Sequence, residues 1–447
     1  MPTVTPKYDP RGPVFISYRH SDGMRIADRL AWLLRAAGIP VWRDEEDLTT
    51  GSIEARIEEA MGKGLSGGVL VVTPDVENSE IIQTVEATGL LNLLKNNPKF
   101  SLTIINALPY GDQLDLKAPP TVADQPPQHN QVSNGKQLDP EAPGRVLDIS
   151  KRVAKKIVQF PATLDGLSES DQKKFITAYV KDHVTALAAD TDAIELNIET
   201  RPAGSPNSSR AKHHFDMILP DSEDGTIRRQ SLEDLQAVLG IVRGAIANQG
   251  ASLLKVSGHA HLSVAFALGA QFPETLIGRA EATDNWNKVW PSEPAGTGEF
   301  VTEVASGGGS TSDPGELAVY VDLRKDASDK AFNDFLDTMQ GRLRAWSHLR
   351  LAQPDWIDPR DGAAIARQIA DHIRAICGAH GTPHVHLFLR CPFAVAFLIG
   401  RLVNTLTFTV YEYDKSTAHY VPALGVSTAR AGGVIKEVLA PESTEQS

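Results

Sequence analysis

The sequence predicts an α/β protein in two parts: an N-terminal doubly wound domain with a parallel sheet, and a C-terminal α/β region made of two fused halves. Three observations carry this. From Gly12 to Leu108 short apolar runs alternate with amphipathic stretches, the pattern of strand and helix units around a parallel sheet. From Ala118 to Gly144 the composition shifts to Pro, Gln, Asn and Asp without a period, which marks a long loop or insert. Beyond it, Val-Ala-Phe-x-x-Gly occurs in "HLSVAFALG" and again, 131 residues later, in "PFAVAFLIG", the mark of an internal repeat.

The elements follow in order. "GPVFISYRHSDG" is a short strand that stops at polar residues. "MRIADRLAWLLRAAG" places Ile26, Leu30, Leu33 and Leu34 at helical spacing and ends at Gly38, a helix with a glycine C-terminus. "IPVWRD" is a second strand, "EEDLTTG" a loop, and "SIEARIEEAMGKG" a helix. "GGVLVVTP" is a nearly continuous apolar run, as a strand covered on both faces requires. A helix over "SEIIQTVEATGLL", a strand over "FSLTIINAL" and an amphipathic helix over "RVLDISKRVAKKIVQF" complete the first domain. "ESDQKKFITAYVKDHVTALAAD" reads as a helical connector.

The third part begins near "AIELNIETRP". At the same offset of 131, "IVRGAI" pairs with "HIRAIC" and "LLKVSG" with "VHLFL". Each copy then reads helix, strand, glycine-containing helix, strand. The strands leading in are expected at "HHFDMILPD" and "ELAVYVDLRKD". The expected domains are residues 1–160, a connector at 161–190 and a C-terminal domain at 191–447, with halves near 191–300 and 315–430. Ligands of open α/β sheets bind beyond the carboxyl ends of strands.

The net charge of −12 argues against a duplex nucleic-acid binder, which carries a broad basic face. It leaves room for a small anion, since a pocket needs only a few local cations. Two cysteines, Cys377 and Cys391, build neither a disulfide framework nor a cysteine zinc cluster. The N-terminus lacks a charged-then-apolar signal layout, and no apolar run approaches the ~20 residues that span a bilayer. The expectation is a soluble cytoplasmic protein.

"VFISYRHSD", "IPVWRDEEDLTTG", "SIEARIEEAM" and "GGVLVVTPDVENSE", taken in order over about residues 12 to 110, resemble the TIR (Toll/interleukin-1 receptor) domain. The resemblance implies a flavodoxin-like fold and, for many bacterial and plant members, cleavage of NAD+ with release of nicotinamide. NAD+ would be substrate, with no cofactor. Animal receptor members are mostly adaptors.

The chemistry says what such a site needs. Nicotinamide leaves a cationic pyridinium as a neutral molecule, so the general acid of ordinary glycoside hydrolysis is dispensable. One carboxylate near the ribose can stabilise the oxocarbenium-like centre electrostatically. Three glutamates follow the third strand: Glu77, Glu80 and Glu86. With the helix started at Ser79 and stepped at roughly 100° per residue, Ile81, Ile82, Val85, Gly89 and Leu93 share an apolar arc. Glu86 falls at its rim. Glu80 falls in the first turn, where a carboxylate favours the helix N-terminal charge, and Glu77 lies in the loop before. Glu86 is the catalytic candidate and Glu80 the second choice; the family's glutamate also lies on this helix. The family often shows Ser-x-x-Cys-x-x-Glu there, six residues from Ser to Glu, whereas Ser79 to Glu86 is seven and no cysteine intervenes. For NAD+ contacts the candidates are Ser17, Tyr18 and Arg19 at the end of the first strand, Trp42 as a wall for nicotinamide, and Asp44 at the loop that borders the site.

"LLKVSGHAHLSVAFALG", "HLFLRCPFAVAFLIGRLVN" and "TFTVYEYD", within about residues 191 to 430, resemble the SAVED domain, a sensor fused to effectors in bacterial anti-phage signalling. The resemblance implies two fused Rossmann-like halves that bind a cyclic oligonucleotide, such as cyclic tri-adenylate. Such a ligand needs cations, backbone N–H groups and stacking surfaces. The strand ends offer Ser257, Gly258, His259 and His261 in the first copy, and Arg390 and Pro392 in the second. Arg324 and Lys325 follow "ELAVYVDL", and Tyr413 offers a ring. His259-x-His261 has no third ligand, so no metal is expected. Ligand-driven self-association into oligomers or filaments, assembling composite TIR sites, is the expected partner relation.

Overall fold

The computed structural model describes residues 5–43, 53–108, 156–188, 191–201, 210–220, 225–309, 315–326, 328–353, 356–428 and 432–441. Two compact units emerge: Met1–Ala189 with Gly204–Asp216, and Asp190–Ala203 with Met217–Ser447. The Pro-rich insert at 118–144 lies outside the described residues, as do Asp44 and the "EEDLTTG" loop. Among the described residues, no helix is long and apolar enough to cross a membrane.

The first unit alternates strand and helix: β1 (Val14–Ser17), α1 (Met24–Ala36), β2 (Val41–Trp42), α2 (Ile53–Lys63), β3 (Gly67–Val72), α3 (Ala87–Asn96), β4 (Ser101–Asn106), β5 (Val158–Pro161) and α4 (Glu169–Leu187). The sheet order is β2-β1-β3-β4-β5 with every pair parallel. This is the flavodoxin-like order, and its topological switch point falls between β1 and β3. β3 is buried along its whole length, which is why it reads as an unbroken apolar run. A Cβ on Gly68 would come 2.7 Å from a Leu90 methyl, so the glycine lets α3 lie directly on the sheet. The core under this face gathers Phe15, Trp42, Leu70, Val72, Ile82, Ala87, Leu90 and Leu93.

Two expectations need correction here. Residues 158–160, the end of the expected helix "RVLDISKRVAKKIVQF", belong to strand β5, paired in parallel with β4; alternation in "VQFP" (exposed, half-buried, buried, exposed) is too short to show above a helical pattern. The expected connector helix is α4, and it packs as part of the first unit. Tyr179 donates to the Gly68 carbonyl at 2.6 Å, and Phe175 meets Phe160 edge-on at 6.1 Å.

α4 also buries His183, whose Nε2 lies 2.8 Å from the His214 carbonyl. Desolvation pushes its pKa down to about 4, against weaker opposing effects of the His214 carbonyl and Asp216. The folded value lies below the unfolded one of 6.5. The neutral ring therefore costs nothing above pH ~6.5, and stability falls as pH drops from there to ~4, by up to about 3 kcal/mol. Denaturant melts at pH 7 and 4.5 should show this loss in the first unit, and His183→Gln should flatten it; an unchanged pH slope would refute the assignment.

The second unit holds two sheets. The first half contributes β6 (Ala193–Glu199), β7 (Phe215–Ile218), α5 (Arg229–Ala247), β8 (Leu253–His259), α6 (Leu262–Gln271), β9 (Arg279–Thr283) and β10 (Val289–Pro291), in sheet order β10-β9-β8-β6-β7. The second contributes β11 (Val301–Gly307), β12 (Glu316–Asp322), α7 (Lys330–Thr338), β13 (Leu343–Leu351), α8 (Gly362–His380), β14 (His384–Arg390), α9 (Phe393–Leu402), β15 (Thr407–Asp414), β16 (His419–Ser427) and β17 (Ile435–Val438), in order β11-β13-β12-β14-β15-β16-β17. The core of each half is the same, β9-β8-β6-β7 against β15-β14-β12-β13. The duplication read from sequence is thus structural, and β8/β14 and α6/α9 keep the offset of 131 at both ends. The pairing of lead strands shifts: the counterpart of β7 is β13, and that of β12 is β6.

The halves join through α6 and α9. A Cβ on Gly269 would lie 2.0 Å from the Phe397 carbonyl oxygen, and one on Gly400 would lie 2.2 Å from that of Phe266. These are repeat-equivalent glycines meeting repeat-equivalent carbonyls, so the helices cross on a local pseudo-two-fold. Arg401, only 1% exposed, donates to the carbonyls of Phe272 at 2.7 Å and Ile277 at 2.6 Å. It ties the second half to the first, and its burial is tolerable because backbone oxygens surround the cation.

Candidate functional site

The first site grows from the β1/β3 switch point. β1 ends at Ser17, and Tyr18 and Arg19 follow directly. Among the described residues, the buried Ser17 hydroxyl and Arg19 Nε have no hydrogen-bond partner, which leaves polar atoms available where ligands of this fold bind. The Tyr18 ring stacks on His20 at 5.1 Å. The loop after β1 is tied to the loop after β3: Thr73 Oγ1 donates to Asp22 at 2.6 Å, the Asp75 N–H donates to the same carboxylate at 3.0 Å, and Ser21 donates to Asp75 at 2.6 Å. Sequence reading passed over Asp22 and Thr73, although an acid five residues past an apolar strand was the available signal.

The three glutamates separate. Glu80 is exposed and Glu86 is buried, 8% accessible; of the Glu77 side chain nothing is described. The helix after β3 begins at Glu80, with Ser79 Oγ accepting from the Ile82 N–H at 3.5 Å. Residues Ile82–Glu86 then form a π turn, closed by the Ala87 N–H on the Ile82 carbonyl. A π turn accommodates one residue more than an α turn and is frequent at functional sites. Uniform steps of 100° therefore fail beyond Ile82. The seven-residue spacing from Ser79 to Glu86 becomes equivalent, in direction, to six residues of regular helix. Glu86 is carried inward between Ile82 and Ala87, both in the core with Phe15 and Trp42. Trp42 itself is 8% exposed and stacks on Phe15 at 4.9 Å, which gives it a packing role.

In the second unit the repeat creates two switch points, β6/β8 and β12/β14. At the first, Gly258 adopts φ +129°, and a Cβ there would lie 2.1 Å from the Ile198 carbonyl oxygen, so glycine is needed for close strand approach. Ser257 donates to Asn197 at 3.1 Å, and His259 is exposed. His261 is fully engaged: Nε2 lies 3.1 Å from the Gly225 carbonyl and Nδ1 2.7 Å from the Thr200 hydroxyl, which in turn accepts from the His261 N–H at 2.9 Å. A carbonyl only accepts, so Nε2 carries a proton. Both nitrogens are used internally. The Ser263 N–H at the start of α6 takes the Glu412 carboxylate, 2.6 Å away, from the other half.

The second switch point is charged. Asp322 ends β12 wholly buried. Arg390, ending β14, pairs with Asp322 at 2.8 Å and Asp326 at 2.7 Å, so its charge is already met by two carboxylates. Arg324 and Lys325 are exposed beside it, and Pro392 opens α9. Tyr413 is 47% exposed with Tyr420 edge-on at 5.6 Å. Its neighbour Tyr411 is buried, stacked on Phe388 at 4.3 Å. Arg324, Lys325 and Tyr413 are thus exposed, while the Arg390 guanidinium is taken up by carboxylates at the strand ends.

Fold and sites define a two-part α/β protein, a flavodoxin-ordered unit with a buried helix carboxylate and a duplicated Rossmann-like unit. Residues 14–115 match the family model described as TIR domain. Residues 235–426 match the model of SAVED, the SMODS-associated and fused to various effectors sensor domain. The chain joins a TIR domain to a SAVED domain. None of the curated proteins compared matches it. Among solved structures, it is similar to the Acinetobacter baumannii Cap4 SAVED/CARF-domain containing receptor with the cyclic trinucleotide 2'3'3'-cAAA, at 13% identity and TM-score 0.43, over 91% of this chain and 97% of that one. The Moraxella osloensis Cap4 SAVED/CARF-domain containing receptor is similar at 14% identity and TM-score 0.38, over 90% and 97%.

Proposed function

We propose that the chain is a cyclic-oligonucleotide-activated NAD+ glycohydrolase: the SAVED part binds the oligonucleotide, and the TIR part releases nicotinamide from NAD+. The observation that carries the enzymatic half is the burial of Glu86 on a π turn, in the helix that follows β3 at the switch point. Burial raises the energy of a carboxylate, and the oxocarbenium-like ribose brings it a counter-charge in the transition state. Arg19 and the Ser17 hydroxyl serve the phosphates and ribose. The SAVED part carries the sensory half through Arg324, Lys325 and Tyr413, which pair cations and a ring with a charged, base-bearing ligand. Its family description as a sensor fused to effectors supports the division of labour.

A ligand switches activity only through different affinity for two states. Bound between neighbouring chains it favours head-to-tail assembly, which brings the "EEDLTTG" loop of one copy to the TIR site of the next. The purified protein, mixed with a panel of cyclic oligonucleotides and a fluorogenic NAD+ analogue, is expected to turn over only with one ligand class, with an accompanying rise in light scattering. Absence of turnover with every ligand would leave a nucleotide-regulated scaffold, and turnover without ligand would remove the switch.

A further inference from the structure

The charged switch point contains a second grouping. Asp322 ends β12, His348 lies on β13 in register with Tyr320, and Asp329 directly precedes α7. His348 Nε2 is 4.0 Å from Asp322 Oδ2 and 4.0 Å from Asp329 Oδ1, and all three atoms lie within 4.8 Å of one another. Each is buried with no hydrogen-bond partner among the described residues. Asp322 and His348 are both more than nine-tenths buried, so two polar side chains aim atoms that make no hydrogen bond at a common point. Buried polar atoms are ordinarily paired, and three exceptions at one point call for a missing partner.

We propose that Asp322, Asp329 and His348 form a divalent cation site of the sensor domain, taking Mn2+ or Zn2+. A point about 2.5 Å or less from all three atoms exists between them, and a contraction of a few tenths of an ångström brings it to the ~2.0–2.2 Å of imidazole and carboxylate ligation. Mixed nitrogen and carboxylate donors suit borderline first-row ions better than Ca2+ or Mg2+, which prefer all-oxygen sets.

The surroundings prepare the ligands. Burial holds His348 below its ordinary pKa, against the pull of Asp329 and Asp322. Tyr320 stacks on it at 4.7 Å and fixes its plane. Arg390 holds the other Asp322 oxygen at 2.8 Å, leaving one oxygen for an ion. Arg350 Nη2 lies 3.6 Å from that oxygen, too far to hydrogen-bond it, and donates instead to the Arg324 carbonyl at 3.2 Å. Asp329 has a 45% exposed side chain, so the grouping opens to water on its side.

The test uses the full chain stripped with EDTA. Loss of the free Mn2+ resonance in electron paramagnetic titration, and calorimetry with Zn2+, should report saturable binding at a single site with a raised melting temperature. Asp329→Asn should weaken binding at least about tenfold while its melting temperature in EDTA stays that of the parent, and His348→Gln should do likewise. No saturable binding by the parent, or equal binding by parent and Asp329→Asn, would overturn the site. A His348→Gln chain that fails to fold leaves the Asp329→Asn arm decisive.

Discussion

Glu86→Gln is expected to lower ligand-activated NAD+ cleavage by at least about a hundredfold. Gln has nearly the volume of Glu and keeps hydrogen-bonding capacity, so the π turn and the core around Ile82 and Ala87 should persist. Only the charge is lost. A positively charged ribose in the transition state loses its counter-charge, while the neutral leaving group needs no acid to compensate. The effect should fall on kcat with oligonucleotide binding and light-scattering growth unchanged. Glu80→Gln is the control: that side chain is exposed, and its contribution is a first-turn charge worth less than about 1 kcal/mol. Full turnover by Glu86→Gln together with loss in Glu80→Gln would place the reaction on the wrong side of this helix.

Gly400→Ala is expected to destabilise the sensor unit by about 3 kcal/mol or more. Its new methyl would lie 2.2 Å from the Phe266 carbonyl oxygen and 2.8 Å from the Ala270 nitrogen. Both are backbone atoms of a helix, so relief requires moving α6 away from α9. Gly269→Ala should cost about as much, since its methyl meets the Phe397 carbonyl at 2.0 Å. The double variant should cost clearly less than the sum, because one separation of the helices relieves both clashes, and mutations sharing a backbone shift are not additive. Additive losses in urea melts would show that the two contacts are independent and that the pseudo-two-fold has no mechanical meaning.

The alternation of strand and helix, the parallel order of the first sheet and the duplication were legible because they rest on long apolar patterns. β5 was not, because four residues at a sheet edge carry too little pattern to compete with the helical spacing around them. The lead strands were paired wrongly because both carry the same apolar signal, and only sheet order separates β12 from β13. At the sites, sequence found the ends of strands but not what their side chains are doing. Glu86 stood out for its place on a wheel, yet the π turn that buries it leaves no compositional trace. Arg390 and His261 looked available because their partners, Asp322 and Thr200, lie 68 and 61 residues away. Asp322 itself ended an otherwise apolar strand, and that acid was the overlooked signal.

The duplicated halves have drifted apart in chemistry while keeping their geometry. One switch point is closed by a hydroxyl–imidazole pair, Thr200 with His261, and the other by ions, Asp322 with Arg390. Under the proposed function, a cyclic oligonucleotide that touches both ends is not received the same way at each. Equivalent halves of the fold thus offer inequivalent chemistry: one repeat ends in dipoles and the other in charges. The duplicated unit therefore has a polarity that its fold symmetry lacks, and raising ionic strength should loosen the charged end first.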